Sequence, residues 1–177
     1  AARLGSSRIT LRVDIGFGNA IVPGPEELEY RTLLGDPPPR ILAYPKESVV
    51  AEKLHAMVTL GERNSRYKDF YDLHALAGGF EFDLDTLVRA FRATFNRRAT
   101  PFPAEPPAAL AAAFYSSEER GRQWRAYVSR NDLSGVPLDF VQIGDRITRF
   151  LAPTWQHSVS GEIRAGDWRD GGPWRFR

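Results

Sequence analysis

The pattern of hydrophobic and polar positions divides the chain into a short β-type part and a longer helical part. Residues 9–17 (ITLRVDIGF) alternate strictly between apolar and polar side chains, which predicts a strand with one buried face. Apolar segments at 28–34 and 41–44 predict two further short strands or extended stretches. All three strand segments lie within the first 45 residues.

From residue 46 onward, apolar residues recur at helical spacing. This spacing predicts a fold of the α+β class, in which a small N-terminal sheet packs on a helical domain at 46–155 and a tail rich in Trp and Arg covers 156–177. Asp83 or Asp85 is expected to cap the third helix, and Gly78–Gly79 to end the second. The predicted helices cover 47–60, 65–76 after a joint at 61–64, 84–98, 110–129 with a break, and 138–151.

Three charged residues of the first two predicted helices lie where apolar residues are expected. Lys53 falls inside the apolar arc of the first helix, and Arg66 and Asp69 fall inside that of the second. Burying such charges is costly unless they are paired or contact a bound molecule. Two interpretations remain open: an internal ion-pair network that closes a helical hairpin, or a polar cleft shared by Lys53 and Asp69.

Composition narrows the class of protein. The hydrophobic fraction of 42% and the charged fraction of 26% are ordinary for a globular domain. The net charge is only +2, so any contact with nucleic acid requires a local basic patch. The absence of cysteine excludes disulfides and thiol catalysis and favours a cytoplasmic location. No apolar run is long enough to predict a membrane span, and the three histidines lack metal-ligand spacing.

Three other features each allow two interpretations. Asp14, beside Arg12 on the polar face of the first strand, is either half of a surface pair or an active-site carboxylate. Residues 97–98, both Arg, suit a helix C-terminus but also a phosphate-facing patch. Trp168 and Trp174, interleaved with arginines, could stack on nucleic acid, but a tail that packs back on its own domain is favoured.

Three sequence blocks, in order, resemble the AbiEii/AbiGii toxin family: RVDIGFGN at 12–19, PKESVVAEKLHAM at 45–57 and NSRYKDFYDL at 64–73. These are nucleotidyltransferase-like proteins that form the toxin half of type IV toxin–antitoxin systems. The resemblance covers residues 8–155. It implies that residues 1–45 are a remnant of a nucleotidyltransferase-like mixed sheet, and that the partners are an NTP, an RNA acceptor (tRNA being the leading candidate) and an antitoxin encoded nearby.

The resemblance also implies roles for individual residues. In the nucleotidyltransferase superfamily, carboxylates hold Mg²⁺, which binds the triphosphate and activates the attacking hydroxyl. Asp14 would be a catalytic carboxylate and the Mg²⁺ ligand. Lys53 would neutralise phosphate charge, and Asp69 would complete the catalytic network. The resemblance assigns further contacts with nucleotide or RNA to Arg66, Lys68 and Asp72.

Two departures from the family pattern change the expectation for this chain. The first family motif is a Gly-Ser turn followed by D-x-D or D-x-E; Gly5–Ser6 lies too close to Asp14, and Gly16 stands where a second carboxylate belongs. The chain is therefore expected to lack the front of the catalytic domain and to be inactive in transfer by itself. Asn19 replaces an expected Asp. The alternative is a non-catalytic helical interaction domain or an inactive remnant.

Overall fold

The computed structural model describes residues 2–10, 12–13, 15–162, 164–169 and 171–177. Within them, α-helices and short strands give the α+β class that the sequence predicts. The helices are α1 Lys46–Leu60, α2 Tyr67–Gly79, α3 Leu84–Arg97, α4 Ala112–Tyr115, α5 Glu118–Arg130 and α6 Phe140–Ser160. The strands are β1 Ala2–Leu4, β2 Ser7–Ile9, β3 Glu26–Glu29, β4 Arg40–Ala43, β5 Phe82–Asp83, β6 Gly166–Trp168 and β7 Trp174–Phe176.

Most of the longer helices begin where the sequence supplies a capping group. The Asp83 carboxylate accepts a hydrogen bond from the Thr86 amide and caps α3, as predicted. Ser117 and Asp139 cap α5 and α6 in the same way. α1 follows Pro45, whose fixed φ and missing amide proton suit the position before a helix. The starts of α3, α5 and α6 are therefore set by local sequence.

The core is formed where α1 packs on α3 and α6 packs on α2 and α3. Phe140, at the start of α6, contacts the rings of Tyr67, Phe70, Tyr115 and Trp124. All five residues are buried, and burial of large rings is a strong source of stability. Because Tyr67 and Phe70 belong to the first turn of α2, this ring cluster fixes the start of that helix.

The N-terminal alternation does not form the predicted strand. β2 ends at Ile9, and the described residues between 10 and 25 contain no strand. Val13, Ile15 and Phe17 are 79%, 73% and 89% exposed, so the apolar face of the pattern covers no core. Alternation shows which side chains share a face, but a strand also needs a hydrogen-bonded neighbour, and no described strand lies beside this segment. The prediction of a strand over 9–17 is therefore wrong for the described residues after Ile9.

The strands of the described residues form three small antiparallel sheets rather than one mixed sheet: β1–β2, β3–β4 and β5–β6–β7. β4 lies where the segment 41–44 predicts it, whereas β3 lies slightly before the segment 28–34. The segment before β3 is anchored to α1, because the Ser48 hydroxyl accepts from the Val22 amide (2.9 Å) and donates to the Val22 carbonyl (3.1 Å). The segment around Val22 therefore lies alongside α1.

α6 continues past its predicted end at 151 to Ser160, although Pro153 lies inside it. Proline removes one helical hydrogen bond, and this loss is offset here by the burial of Trp155 against Phe95 and Phe102. Among the described residues, no helix combines the length and the apolar character needed to cross a membrane.

The C-terminal tail packs back on the bundle, which is the alternative that the sequence favours. β6 pairs with β5, and β7 pairs with β6. The Trp168 indole nitrogen donates to the Ala77 carbonyl (2.7 Å), and that of Trp174 donates to the Phe150 carbonyl (2.9 Å). Both tryptophans are buried, so they belong to the core.

Candidate functional site

The inward-facing charges of the first two helices meet between α1 and α2. Lys53 Nζ donates hydrogen bonds to Asp69 Oδ1 at 2.9 Å and to Asp72 Oδ2 at 2.6 Å. The side chains of Lys53 and Asp69 are only 12% and 6% exposed, and that of Asp72 is 23% exposed. Charges so poorly solvated are stable only when paired, so these three side chains form one electrostatic unit.

Ordinary helical spacing brings these side chains together. Asp69 and Asp72 are three residues apart in α2 and therefore lie on one face of the helix. Asp69 is also in the first turn, where a carboxylate suits the helix dipole. Phe70 and Leu73 are fully buried on the same helix and hold it against the core. The two carboxylates therefore face α1 on a rigid support.

Two exposed cations complete this cluster. Lys68 Nζ lies 2.6 Å from Asp72 Oδ2, and Arg66 Nε lies 2.9 Å from Asp69 Oδ2. The Arg66 N–H is not aligned with Oδ2, so that buried oxygen is an ion-pair partner without a hydrogen-bond donor. Three cations thus surround two carboxylates, and one positive charge of the cluster is not neutralised within it.

The cluster borders a cleft of about 600 Å³, here named the α1 cleft. Lys53, Arg66 and Asp69 face it from the helices, while Asn19 and Tyr44 form a wall from the N-terminal part. The Asn19 amide lies 3.4 Å from the Tyr44 hydroxyl. The remaining lining residues are Ser48, Val49, Glu52, His55, Ala56, Thr59, Leu60 and Arg98. A volume of this order is typical of small-molecule sites.

Burial and neighbouring charges perturb two titratable groups in or beside the α1 cleft. Burial alone would raise the pKa of the Asp72 carboxyl, but hydrogen bonds from Lys53 and Lys68 outweigh it and lower the pKa. Burial, followed by the positive charge of Arg98, lowers the pKa of His55, although Glu52 opposes this. Asp72 is therefore held ionised and His55 is held neutral.

A second cleft, of about 520 Å³, lies on the other side of Asp69 and is here named the α5 cleft. Its lining comes from the start of α2 and from one face of α5: Ser65, Arg66, Tyr67, Lys68, Asp69, Gln123, Ala126, Tyr127 and Arg130. Arg66 and Asp69 line both clefts. They therefore form a shared wall between the two spaces.

The structure brings together five of the six residues that the sequence analysis singles out. Lys53, Asp69 and Asp72 form the paired centre, with Arg66 and Lys68 around it. The sixth, Asp14, lies outside the described residues. Their roles in binding or catalysis stay predictions.

One detail of the prediction is wrong. Arg66 is not on the buried face of the second helix: it precedes α2, has a non-helical backbone and is exposed, because the helix starts only at Tyr67.

Sequence reasoning missed several lining residues. His55, one of the three histidines without metal-ligand spacing, lines the α1 cleft and shares a hydrogen bond with the Thr100 hydroxyl at 2.9 Å. Tyr127 packs against the edge of the core and also lines the α5 cleft. Arg130 follows Tyr127 by three residues on the same helical face. For Tyr127 and Arg130, the available sequence signal was a stripe of aromatic and polar residues on one face of α5.

The described residues do not by themselves form a magnesium site. No group of three or more acidic or histidine side chains among them is placed to hold a metal ion. Glu52 and Asp69 are the carboxylates that line the α1 cleft, and both are already paired with cations. The expected ligand Asp14 is not among the described residues. Binding of Mg²⁺ is therefore a prediction of the resemblance alone.

Comparison with known proteins identifies the family. The sequence model described as "Nucleotidyl transferase AbiEii toxin, Type IV TA system" matches residues 1–149. The chain therefore belongs to the AbiEii family of nucleotidyltransferase-like toxins of type IV toxin–antitoxin systems. No curated protein and no solved structure gave a significant match.

Proposed function

We propose that the α1 cleft binds an NTP and that the protein transfers a nucleotide from it to an RNA acceptor, with tRNA as the leading candidate. The observation that carries this proposal is Lys53, which is nearly buried, bridges Asp69 and Asp72, and faces a cleft of about 600 Å³. A lysine held in this way places a fixed positive charge where a triphosphate can bind. Because NTPs and tRNA are cytoplasmic, the proposal includes a cytoplasmic location. Membership of a toxin–antitoxin family supports an antitoxin as the partner.

The transfer would form a bond between an acceptor hydroxyl oxygen and the α-phosphorus of the NTP. The bond from that phosphorus to the leaving oxygen breaks, pyrophosphate leaves, and the hydroxyl proton passes to a base. Asp69 Oδ2 is suited to accept it, because it is buried and has no hydrogen-bond donor. Arg66 covers this oxygen from an exposed position. Movement of Arg66 toward a bound phosphate would uncover Oδ2.

Mg²⁺ belongs to this proposal only through the family resemblance. It would supply charge neutralisation at the triphosphate, as in other nucleotidyltransferases. The candidate ligand in this chain is Asp14, and a single carboxylate does not fix an octahedral ion. We therefore expect the 177 residues assayed alone to bind nucleotide weakly and to give no detectable transfer.

The alternative is a non-catalytic interaction domain or an inactive remnant. One observation favours it: Lys53 already has two carboxylate partners, so the ion-pair network is complete without a ligand. This alternative predicts that replacing Lys53 affects stability but no binding event.

The proposal is tested by measuring NTP binding and incorporation of labelled NTP into total tRNA. The 177 residues are compared with the complete product of the gene that encodes them, and circular dichroism confirms folding of each variant. Lys53→Ala and Asp69→Ala are expected to abolish incorporation, with Lys53→Ala also weakening NTP binding. Arg122→Gln, on the exposed side of α5 and outside both clefts, is the control. Full activity of a folded Lys53→Ala protein would overturn the assignment.

A further inference from the structure

We infer that the α5 cleft binds a single-stranded polynucleotide and presents its end to the α1 cleft. This inference rests on the proposed function, because it assigns the acceptor side of the same reaction. It concerns residues of α5 that the family resemblance does not single out.

The cleft side of α5 carries a regular stripe of residues. Gln123, Ala126, Tyr127 and Arg130 follow one another at spacings of three, one and three, which places them on one helical face. Gln123 is fixed, because its carbonyl accepts a hydrogen bond from the Tyr67 hydroxyl at 2.7 Å. The stripe therefore faces the start of α2 at a defined distance.

The charge of the α5 cleft favours an anionic ligand. Its lining contains three cations, Arg66, Lys68 and Arg130, against one carboxylate, Asp69. Arg130 is exposed and forms no ion pair with any residue that the structure describes. An unpaired arginine beside two further cations provides several contacts for phosphate groups along a chain.

An aromatic ring lies among these cations. One face of Tyr127 stacks on Trp124, with a centroid distance of 5.7 Å and an interplanar angle of 28°. Because Tyr127 is only half-buried and lines the cleft, part of its ring remains available to a ligand. A supported ring between cations is the arrangement on which unpaired bases stack. An acidic peptide would use the cations but would gain little from the ring.

The position of the cleft suits a polymer better than a mononucleotide. Its lining comes from only two segments, 65–69 and 123–130, whereas Asn19 and Tyr44 add a further wall to the α1 cleft. A chain can therefore lie along α5 and end at the wall shared by Arg66 and Asp69. That end would meet the carboxylate proposed above to accept the hydroxyl proton.

The test measures binding of a labelled single-stranded oligoribonucleotide of mixed sequence, about eight nucleotides long, by fluorescence anisotropy over a range of KCl concentrations. Arg130→Gln is expected to lower the slope of log K against log salt by roughly 0.7, which corresponds to one lost phosphate contact. Tyr127→Leu keeps an apolar contact with Trp124 but removes the stacking face, and is expected to weaken binding by roughly fivefold or more. Arg122→Gln, an exposed arginine of α5 outside the cleft, should bind as the wild type does.

Other results would overturn the inference. If folded Arg130→Gln and Tyr127→Leu proteins bind the oligoribonucleotide like the wild type, the α5 cleft is not its site. If polyglutamate of equal charge competes as well as RNA, and Tyr127→Leu does not change that competition, the cleft is a surface for acidic protein instead. Failure of the proposed function gives a different result from failure of this inference. In that case the protein neither binds NTP nor transfers a nucleotide, but its RNA binding still depends on Arg130 and Tyr127.

Discussion

The ammonium group of Lys53 lies closer to Asp72 than to Asp69, at 2.6 Å against 2.9 Å. Asp72 receives a second hydrogen bond, from Lys68, on the same oxygen. Asp69 is the more buried partner and keeps one oxygen without a donor. The two carboxylates are therefore not equivalent: Asp72 accepts from two lysines on one oxygen, whereas Asp69 accepts from Lys53 on one oxygen and faces Arg66 with the other.

Replacing Lys53 should cost more stability than replacing Lys68. Lys53→Met leaves Asp69 and Asp72 without their shared buried cation, so we expect the free energy of unfolding to fall by about 3 kcal/mol. Because Lys68 is 73% exposed, Lys68→Met is expected to change the free energy of unfolding by less than about 1 kcal/mol. Urea unfolding at pH 7 measures both. Equal small effects would show that the Lys53 pairs contribute little to folding.

Acid sensitivity should depend on His74. Burial, followed by the charge of Arg146, lowers the pKa of His74 from 6.5 to about 4. The unfolded chain takes up this proton first, so the stabilising contribution is complete above pH 6.5 and is lost as the pH falls from 6.5 toward 4. We expect the urea midpoint of the wild type to fall between pH 6.5 and pH 5, and to fall less in His74→Gln. Since His55 is common to both proteins, the difference reports His74, and equal falls would contradict this assignment.

Gly144 should not tolerate a side chain. A Cβ atom there would lie 2.2 Å from the Tyr115 ring, and this ring is held by a hydrogen bond from its hydroxyl to the Ala109 carbonyl at 2.6 Å. We expect Gly144→Ala to destabilise the protein by about 1–3 kcal/mol despite the better helix propensity of alanine. At Gly121 the nearest atom belongs to the flexible Arg125 side chain, at 3.5 Å, so Gly121→Ala should stabilise by about 0.5–1 kcal/mol. Thermal unfolding of the two variants should shift in opposite directions.

The hydrogen bond from Trp168 should be measurable against a matched tryptophan. Trp168→Phe removes the donor to the Ala77 carbonyl near the end of α2 and leaves a buried acceptor, at a cost of about 1–3 kcal/mol beyond the lost ring volume. Trp155 is also buried, but its indole nitrogen bonds to no described residue. The difference in unfolding free energy between Trp168→Phe and Trp155→Phe therefore isolates the hydrogen bond. No difference would mean that Trp168 acts through packing alone.

The sequence was most informative where local rules act alone. Helical periodicity and the Asp83 cap located the helices, because both depend on residues a few positions apart. The same periodicity identified Lys53 and Asp69 as charges on inward faces, and the structure places them within hydrogen-bonding distance. The proximity of these two charges was thus accessible from helical geometry, whereas the choice between an ion-pair network and a ligand-binding cleft was not.

Features that depend on long-range pairing were not accessible. The alternation at 9–17 predicted a face but could not supply the neighbouring strand, and Val13 and Phe17 are exposed. The extension of α6 through Pro153 depends on Trp155 meeting Phe95, which lies far away in the sequence. The α5 cleft likewise needs α2 and α5 to lie side by side. A single sequence does not reveal such pairings between distant segments.

The region that matches the family model is shorter than the region that folds as one core. Trp168 and Trp174 lie beyond the family match, yet both are buried in the core. The family match ends at residue 149, in the middle of α6. The next residue, Phe150, packs against Phe82, Trp168 and Trp174. A fragment cut at the family boundary would leave Phe82 and much of the adjoining core uncovered, and it would be prone to aggregate. Assays of this protein therefore need the residues beyond the family match, because Trp168 and Trp174 complete the packing around Phe150.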